Sequence, residues 1–282
     1  MKSLQPGTVL KKRFEILQEL GSGGMAVVYL ANDQELNRKV AIKVLHLFML
    51  SDEDSRVRFE REAQILSQLS NLHLPQLFSS GLLVDDVPYL VFEFIDGVSL
   101  ADEIKKAGGL PWKRALKIAT QIATAMQYVH ENGVVHRDLK PRNLMLSKDG
   151  NDFVKVLDFG LAKALSLSIG STITSTGALI GTPQYMSPEQ CKGVACDEAA
   201  DIYALGCIIY EMLTGYPPFN STEFVSLIRK HEREQPELVS KKMNASDLPR
   251  NIDAVVLKAL EKEPEKRYRS MSQFSEALEK CL

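Results

Sequence analysis

The stretch His-Arg-Asp-Leu-Lys-Pro-Arg-Asn at 136–143 concentrates side chains that could do chemistry. Asp138, Lys140 and Asn143 follow the apolar pair Val134-Val135 at short spacing. An aspartate can orient an attacking hydroxyl and accept its proton, a lysine can stabilise a moving anionic group, and an amide oxygen can ligate a hard cation such as Mg²⁺. A solvated charged loop would show the same residue types, so other segments must decide between the two interpretations.

A second aspartate extends the pattern. Asp158 ends the apolar run Val-Leu in "VLDFGLA", fifteen residues after Asn143. An aspartate just before a glycine at the end of a strand is well placed to be a second Mg²⁺ ligand. Alone this tripeptide would be a weak signal. Together with 136–143 it favours phosphoryl transfer, in which the protein mainly positions groups and neutralises charge.

A glycine-rich segment stands near the start of the chain. The residues "LGSGGMAVVYLA" at 20–31 fit G-x-G-x-x-A-x-V, with Ala26 where a third glycine would stand. Dinucleotide-binding folds place a helix after such glycines, whereas here one strand is predicted before the segment and one after it. The context favours a backbone flap over phosphates, and a glycine-rich hairpin turn remains the alternative.

The strand "VAIKVL" at 40–45 carries a lysine in an apolar setting. Side chains alternate along a strand, so Ala41, Lys43 and Leu45 share one face and the intervening residues share the other. Both faces are apolar, which predicts a buried strand. A lysine on an edge strand, with its ammonium group reaching solvent, is the alternative.

A glutamate is similarly out of place in the predicted helix 53–72. Glu62 falls between Phe59 and Leu66 on the apolar face of that helix. A carboxylate there is costly unless it is paired. The simplest explanation is an ion pair between Glu62 and Lys43, which would hold the lysine ammonium under the glycine flap.

Further elements follow from periodicity and composition. Strands are predicted at "FEILQEL" and "PYLVFEFIDG". Beyond about residue 99 the pattern is helical, with helices predicted at 112–131, 199–214, 221–232, 251–261 and 270–281. The segment 165–180 is rich in Ser, Thr and Gly, which indicates a long functional loop.

Composition excludes several classes of protein. The 282 residues are 45% hydrophobic and 25% charged with a net charge of −2, so no basic field indicates nucleic acid. No apolar run has the ~20 residues of a membrane span, and the N-terminal residues lack the apolar core of a signal peptide. The four cysteines show no CxxC spacing and predict reduced thiols and a cytoplasmic protein, with Cys207 buried.

The ordered motifs resemble the catalytic domain of eukaryotic-like (Hanks-type) Ser/Thr protein kinases. The glycine loop, VAIK, the helix glutamate, HRDLKPRN, DFG, "GTPQYMSPE", "DIYALG" and a late arginine in "KEPEKRY" occur in the family's order from about residue 14 to 280. The segments "GGMAVVYLA" and "GTPQYMSPEQ" favour the bacterial subgroup.

The resemblance implies an α+β fold with two lobes in one kinase domain, 1–282. The small N-lobe, β-rich with one key helix, would span about 10–94, the hinge about 93–98, and the larger, mainly helical C-lobe about 99–282. Two departures from the family pattern are Ala26 and Ser187, which stands where an alanine is usual in the "APE" motif. Both residues are small, so little is put in doubt.

The resemblance also assigns the site residues. Asp138 is the implied catalytic base, Lys140 steadies the transferred phosphoryl group, and Lys43, paired with Glu62, contacts the α- and β-phosphates. Asn143 and Asp158 hold Mg²⁺, or Mn²⁺ as an alternative. The implied ATP-binding residues are Leu20, Gly21, Ser22, Gly23, Gly24, Val28, Ala41, Lys43, Glu93, Ile95 and Met145.

Other implied roles are structural. Phe92 would close the back of the nucleotide pocket, and Asp201 would brace the catalytic loop. Glu189 would pair with Arg267 in a buried ion pair. His136 is implied to be a core residue stacked with Phe159 and Leu66 rather than an acid or base.

Regulation is expected in the 165–180 region. The resemblance implies that phosphorylation of Thr174 and Thr176, by the kinase itself, switches activity on. Arg137, Lys163 and Arg58 would receive the phosphate. Solvated loop threonines are the alternative, as is phosphorylation of Ser171, Thr172 or Ser175.

The acceptor is expected to be Ser or Thr, since Lys140 and Thr182 fit the Ser/Thr pattern. Arg142 stands just before the catalytic-loop asparagine, where kinases that require arginine upstream of the acceptor often carry a glutamate, and only Glu211 remains as an acid. Acidic or neutral residues upstream of the acceptor should therefore be tolerated or preferred.

The expected function is that of a non-specific serine/threonine protein kinase in signal transduction. Its expected partners are ATP, protein substrates, itself through autophosphorylation, and a transient homodimer, without nucleic acid or a membrane span. Two other interpretations stay open. A pseudokinase scaffold usually lacks Lys43, Asp138 or Asp158, and a small-molecule kinase lacks "GTPQYMSPE". The chain is either free-standing or the catalytic part of a longer receptor.

Overall fold

The structure is a computed structural model that describes residues 4–24, 26–46, 53–148, 150–158, 183–243 and 248–282. The described residues form two compact units, which divide between Asp96 and Gly97. The predicted loop at 165–180 lies outside the described residues. The predicted limits of the domain, its lobes and the hinge remain predictions.

The first unit is built on an antiparallel sheet of six strands in the order β1-β2-β3-β4-β6-β5. The strands are β1 Val9–Leu10, β2 Phe14–Ser22, β3 Ala26–Asp33, β4 Arg38–Leu45, β5 Leu77–Leu82 and β6 Pro88–Glu93. One face carries the core, in which β-branched and aromatic residues of several strands pack together. In β4, Val40, Ile42 and Val44 are buried on this face, which confirms the alternation predicted for "VAIKVL".

The helix of this unit, α1, spans Glu53–Gln68. The prediction of a helix to residue 72 was therefore wrong at its C-terminal end. Asn71 explains the difference, because its side chain accepts a hydrogen bond from the backbone of His73 at 2.8 Å and its carbonyl accepts one from Leu74 at 3.0 Å. Asparagine readily forms such local turns, which compete with helical hydrogen bonds.

The second unit is mainly helical, with a small sheet in the order β7-β8-β9. Its strands are β7 Gly97–Ser99, β8 Leu144–Ser147 and β9 Val154–Val156. Its helices are α2 Leu100–Ala107, α3 Trp112–Glu131, α4 Pro188–Cys191, α5 Glu198–Thr214, α6 Phe224–Arg233, α7 Val239–Met243, α8 Ile252–Ala259 and α9 Met271–Glu279. The α+β prediction is confirmed: a β-rich unit with one long helix precedes a helical unit.

The centre of the second unit is α5, which is apolar on nearly all sides. Its residues from Ala200 to Tyr210 are all buried, as expected for a helix at the centre of a core. Cys207 is fully buried within it, and burial raises the pKa of this thiol. All four cysteines are free thiols, as predicted.

All five helices predicted for this unit are present, as α3, α5, α6, α8 and α9, whereas α2, α4 and α7 were not predicted. The helix predicted at 112–131 has these bounds in α3, and α5 begins one residue earlier than predicted, where the Asp197 side chain accepts a hydrogen bond from Ala199 N–H at 2.9 Å. Within the described ranges, no helix has the length and apolar character needed to cross a membrane.

Candidate catalytic centre

The first unit presents its predicted nucleotide residues on one face of the sheet. Val28 and Lys43 are direct cross-strand partners of β3 and β4, and Ala41 and Phe92 are partners of β4 and β6. Directly opposed residues of antiparallel strands project from the same face, and Ala41 and Lys43 are two apart on one strand. These four side chains therefore share the face opposite the buried core.

Lys43 and Glu62 are both half-buried. On α1, Glu62 lies next to the buried Ala63 and on the side that also carries Phe59 and Leu66, as the sequence pattern predicted. The pairing of Lys43 with Glu62 stays a prediction.

The glycine loop connects β2 and β3 with little covering it. Gly21, Gly23 and Gly24 are exposed, and the loop is closed by a hydrogen bond from Gly23 N–H to Ala26 O at 2.9 Å. A Cβ atom added at Gly21 or Gly24 would meet no atom within 4 Å. The protein's own packing does not require glycine here, so the bare backbone is free for close approach to a ligand.

The predicted hinge residues lie at the end of β6 and just beyond it. Glu93 and Ile95 are half-buried, and Glu93 N–H donates to Gln76 O at 2.9 Å while the Glu93 carboxylate accepts from Gln76 N–H at 3.3 Å. Leu20 and Ser22, at the end of β2, are exposed. The adenine-binding role of Glu93 and Ile95 stays a prediction.

Met145 belongs to the second unit, on β8. It is half-buried between the buried Leu144 and Leu146, so its side chain is on the opposite face of the strand from theirs. β7 passes very close here: a Cβ at Gly97 would clash with the Leu146 carbonyl. A glycine is therefore required at 97 for β7 to pair with β8.

The stretch 136–143 folds into a hydrogen-bonded cluster in the second unit. Lys140 Nζ donates to Asp138 Oδ2 at 2.6 Å, and Asn143 Nδ2 donates to Asp138 O at 3.0 Å. Asn143 is buried, whereas Asp138 and Lys140 are half-buried. The three residues that the sequence singled out therefore meet at Asp138.

Asp158 follows a residue that pairs with Asn143. Leu157 N–H donates to Asn143 O at 2.7 Å, which continues the pairing of Leu144 with Val156 and places Asp158 one residue beyond that backbone contact. Asp158 is exposed and has a left-handed backbone with φ of 58°. Aspartate tolerates this conformation better than most residues.

Asn143 and Asp158 are the predicted Mg²⁺ residues, and both side chains carry the hard oxygen atoms that Mg²⁺ prefers. The Asn143 amide nitrogen donates to the Asp138 carbonyl, so the amide oxygen is the Asn143 atom that could face a metal. The described residues include no group of three or more His, Cys, Asp or Glu that could hold a metal. A set of one or two carboxylates completed by water and substrate phosphates is the usual arrangement for Mg²⁺.

His136 has a structural role that occupies both ring nitrogens. Its Nε2 is 2.9 Å from Leu157 O, which can only accept, so Nε2 carries the proton. Its Nδ1 then accepts from Asp138 N–H at 3.3 Å. His136 is fully buried, which agrees with the predicted core role. Phe159, its predicted stacking partner, lies outside the described residues.

Asp201 braces the loop, as the resemblance implied. This buried aspartate of α5 accepts from His136 N–H at 2.8 Å, from Arg137 N–H at 2.9 Å and from His130 Nε2 at 2.8 Å. Burial alone would raise the pKa of Asp201, but the hydrogen bonds that it accepts from the His130 side chain and the His136 backbone lower it overall. The carboxylate therefore stays ionised and holds both peptide groups.

Glu189 and Arg267 form the predicted buried ion pair. Two hydrogen bonds of 2.8 Å join the guanidinium group to the carboxylate. The remaining donors of Arg267 bind the carbonyls of Ala199, Glu261 and Lys262, so the buried charge is fully hydrogen-bonded.

The predicted regulatory residues are described only in part. Arg58 Nη2 donates to Ser55 Oγ at 2.8 Å within α1, and Arg137 directly precedes Asp138 with a left-handed backbone. Thr174, Thr176 and Lys163 lie outside the described residues, as does Thr182. The switch and its phosphate receptor remain predictions.

Two residues that contact the catalytic-loop scaffold were missed from the sequence. His130, in the last turn of α3, binds Asp201, and Gln190, on α4, binds Arg137 O at 2.8 Å. The pattern Ser187-x-x-Gln190 is a capping-box signature and could have placed Gln190 in the first turn of a helix. No local signal indicated its second contact.

Comparison with known proteins shows the family. The sequence model described as "Protein kinase domain" matches residues 14–279. The chain is 41% identical over 268 residues to the serine/threonine-protein kinase PknB of Mycobacterium tuberculosis, covering 94% of this chain and 42% of the relative. It is 38% identical over 274 residues to a probable serine/threonine-protein kinase of Clostridium perfringens, covering 97% and 39%. The chain belongs to the protein kinase family, among bacterial serine/threonine kinases.

Solved structures agree with the fold. The kinase domain of Mycobacterium tuberculosis PknI matches with a TM-score of 0.76 and 26% identity, covering 99% of this chain and all of that one. Rad53 residues 1–466 in complex with AMP-PNP match with a TM-score of 0.76 and 26% identity, and the match covers 94% of this chain and 64% of the Rad53 chain. The chain spans about two fifths of the length of the curated bacterial relatives.

Proposed function

We propose that this domain transfers the γ-phosphoryl group of Mg-ATP to serine and threonine hydroxyls of proteins. The observation that carries the proposal is the cluster of Asp138, Lys140 and Asn143, with Asp158 directly after the Leu157 that pairs with Asn143. It combines a proton acceptor, a cation and two hard oxygen ligands, which are the groups that phosphoryl transfer uses. The names of the bacterial relatives and the AMP-PNP complex of Rad53 support this function.

Asp138 is the proposed base. One of its carboxylate oxygens, Oδ2, is 2.6 Å from the Lys140 ammonium, and Oδ1 accepts no hydrogen bond from the described residues. A substrate hydroxyl would donate to the carboxylate and pass its proton there as the oxygen bonds the γ-phosphorus and the bond to ADP breaks. Lys140 would stabilise the charge on the transferred group, and Asn143 holds the Asp138 backbone in place.

Asn143 and Asp158 would hold Mg²⁺, with Mn²⁺ as an alternative, and the ion would neutralise phosphate charge. In the first unit, Lys43 would contact the α- and β-phosphates, steadied by Glu62, and the exposed glycine backbone would cover them. The residues proposed to bind the adenine ring are Val28, Ala41, Met145, Glu93 and Ile95. The shared sheet face of Val28, Ala41 and Lys43 supports this assignment for the first unit.

Autophosphorylation of Thr174 and Thr176 is proposed to activate the enzyme. Arg137, Lys163 and Arg58 would receive the phosphate, which brings about −1.5 to −2 charges at neutral pH. Phosphorylation of one copy by another would proceed through a transient homodimer. The proposed compartment is the cytoplasm, because the reaction consumes ATP and the four cysteines are free thiols.

Radiolabel transfer tests the function directly. The purified domain is incubated with γ-labelled ATP, Mg²⁺ and a generic acceptor protein, and labelled residues are identified by phospho-amino-acid analysis. Labelled phosphoserine and phosphothreonine on the domain and on the acceptor are expected. Nucleotide binding without any transfer would contradict the proposal in favour of a scaffold, and predominant phosphotyrosine would contradict the acceptor class.

A further inference from the structure

Arg137 adopts a backbone conformation that L-residues rarely take. Its φ is 62°, in the left-handed region, and it directly precedes Asp138. Such conformations persist at functional sites when surrounding contacts over-determine them. The contacts that hold Arg137 therefore also set the direction in which the Asp138 side chain leaves the backbone.

Two side chains from distant parts of the chain hold the backbone of Arg137. Its N–H donates to Asp201 Oδ1 at 2.9 Å, and its carbonyl accepts from Gln190 Nε2 at 2.8 Å. The Arg137 carbonyl and the Asp138 N–H belong to one planar peptide group. Gln190 thus fixes the plane of the peptide bond that leads into Asp138.

The amide of Gln190 is itself held in one orientation. Its Oε1 accepts from Ser187 N–H at 3.1 Å, and its backbone N–H donates to Ser187 Oγ at 3.4 Å, which together form the capping box of α4. The amide oxygen thereby binds Ser187 while the amide nitrogen binds Arg137. One side chain joins the start of α4 to the catalytic loop.

We infer that Gln190 is a positioning residue for the proposed base. It touches no reacting atom and acts through the Arg137 carbonyl on the orientation of Asp138. The inference rests on the proposed function, and specifically on the role of Asp138. A purely structural role in capping α4 would involve the amide oxygen alone, so the two roles can be separated by changing the amide nitrogen.

The variant Gln190→Glu makes that separation. It keeps an oxygen for Ser187 N–H but turns a carboxylate oxygen toward the Arg137 carbonyl, where two acceptors repel. At pH 8 the kcat of the variant should fall roughly tenfold, the equivalent of the loss of one hydrogen bond, with KM for ATP unchanged. As the pH falls toward the ordinary glutamate pKa of roughly 4.3, the carboxyl group protonates and can donate again, so the ratio of variant to wild-type kcat should rise.

Two further variants complete the test, with the unfolding temperature of each measured beside its kinetics. Ser187→Ala removes the capping hydroxyl and keeps the amide, so its kcat should equal the wild-type value. Gln190→Met removes both hydrogen bonds without adding charge, so its kcat should be low at every pH and its ratio to wild type should not change with pH.

The inference would be overturned if Gln190→Glu had the kcat and pH profile of the wild type. It would also be overturned if Ser187→Ala lost as much kcat as Gln190→Glu. If Gln190→Glu does not fold, wild-type kcat in Gln190→Met overturns it instead. A wild-type domain that transfers no phosphoryl group would remove the proposed function itself. If the wild type is active and the Gln190 variants have wild-type kcat, only the positioning role of Gln190 is contradicted and the proposed function stands.

Discussion

The two units hold their candidate functional residues in different ways. In the first unit, sheet register places Lys43 opposite Val28, and Gly21, Gly23 and Gly24 of the glycine loop are exposed. In the second unit, Asp138 and Asn143 lie in a network anchored on the buried Asp201. The comparison shows candidate residues presented on a sheet face in the first unit and candidate residues held by a buried polar network in the second. If the proposed function is right, stability and activity of the second unit depend on the same buried polar groups.

The largest expected effect concerns the stability of the second unit. Arg267→Met removes the guanidinium partner and leaves the Glu189 carboxylate buried and uncompensated, which should lower the free energy of unfolding at pH 7 by about 3–5 kcal/mol. Denaturant unfolding measures it. Arg269→Met, which changes an exposed arginine two residues away, is the control and should stay within about 0.5 kcal/mol of wild type. If Arg267→Met were as stable as Arg269→Met, the claim that the second unit depends on its buried polar groups for stability would be wrong.

The same pair gives a pH dependence. Burial alone would raise the pKa of Glu189, but the hydrogen bonds and charge of Arg267 lower it overall. The contribution of the Glu189 carboxylate to stability is therefore present above the ordinary glutamate pKa of roughly 4.3. It is lost as the pH falls through the lower pKa that Glu189 has in the folded protein. The difference in unfolding free energy between wild type and Arg267→Met should narrow in that acidic range.

The next effect separates chemistry from folding. Lys43→Met in the first unit and Asp158→Asn in the second should each lower phosphoryl transfer by on the order of 10²–10³-fold, because each removes one electrostatic contact proposed to reach the phosphates or the metal. Both residues are outside the buried cores, so the unfolding temperature should hold. Lys39→Met, an exposed lysine on the same strand as Lys43, is the control. Near-normal turnover in either variant would refute the role given to that residue.

A smaller effect is expected from the regulatory threonines. If phosphate coupling contributes about 1–3 kcal/mol, a Thr174→Ala/Thr176→Ala variant should be roughly 5–150-fold less active than the phosphorylated wild type. Phosphatase-treated wild type is the matched control and should have the activity of the variant. Mass spectrometry locates the phosphates, and full activity of the double variant would show that this switch does not exist.

The sequence predicted what local patterns encode. The alternation in "VAIKVL", the long amphipathic helix α3 and the Glu189–Arg267 pair were all correct. The structure also brings Asp138, Lys140 and Asn143 together, while their roles stay predictions. Strand β5 was missed, because Leu-Phe-Ser-Ser-Gly-Leu has weak strand propensity and is held by pairing with β6.

Contacts between distant segments were the least predictable part of the site. His130 meets Asp201 across 71 residues of sequence, and Gln190 meets Arg137 across 53. Neither contact leaves a local pattern, since each is decided by how helices and loops pack in three dimensions. The spacing of Ser187 and Gln190 could predict only the capping box and not the contact of Gln190 with Arg137.

The smallest effect is one of peptide preference. Glu211, the remaining acid, is half-buried and accepts the Tyr185 hydroxyl at 2.6 Å, and burial raises its pKa, whereas Arg142 is exposed. Peptides with Asp or Glu upstream of the acceptor should therefore be phosphorylated as well as or a few-fold better than peptides with Arg, since exposed charge pairs contribute only ~0.2–1 kcal/mol. Arg142→Glu should reverse the order on a peptide array, and a strong requirement for upstream arginine in the wild type would contradict it.

The most direct test of the central claim is the single-turnover rate of phosphoryl transfer in Asp138→Asn at saturating Mg-ATP. The amide cannot accept the hydroxyl proton, whereas Asn143 and Asp201 keep their backbone partners in the loop. The account predicts a loss of about 10²–10⁴-fold with nucleotide affinity and unfolding temperature unchanged. A variant that transfers the phosphoryl group at the wild-type rate would contradict it.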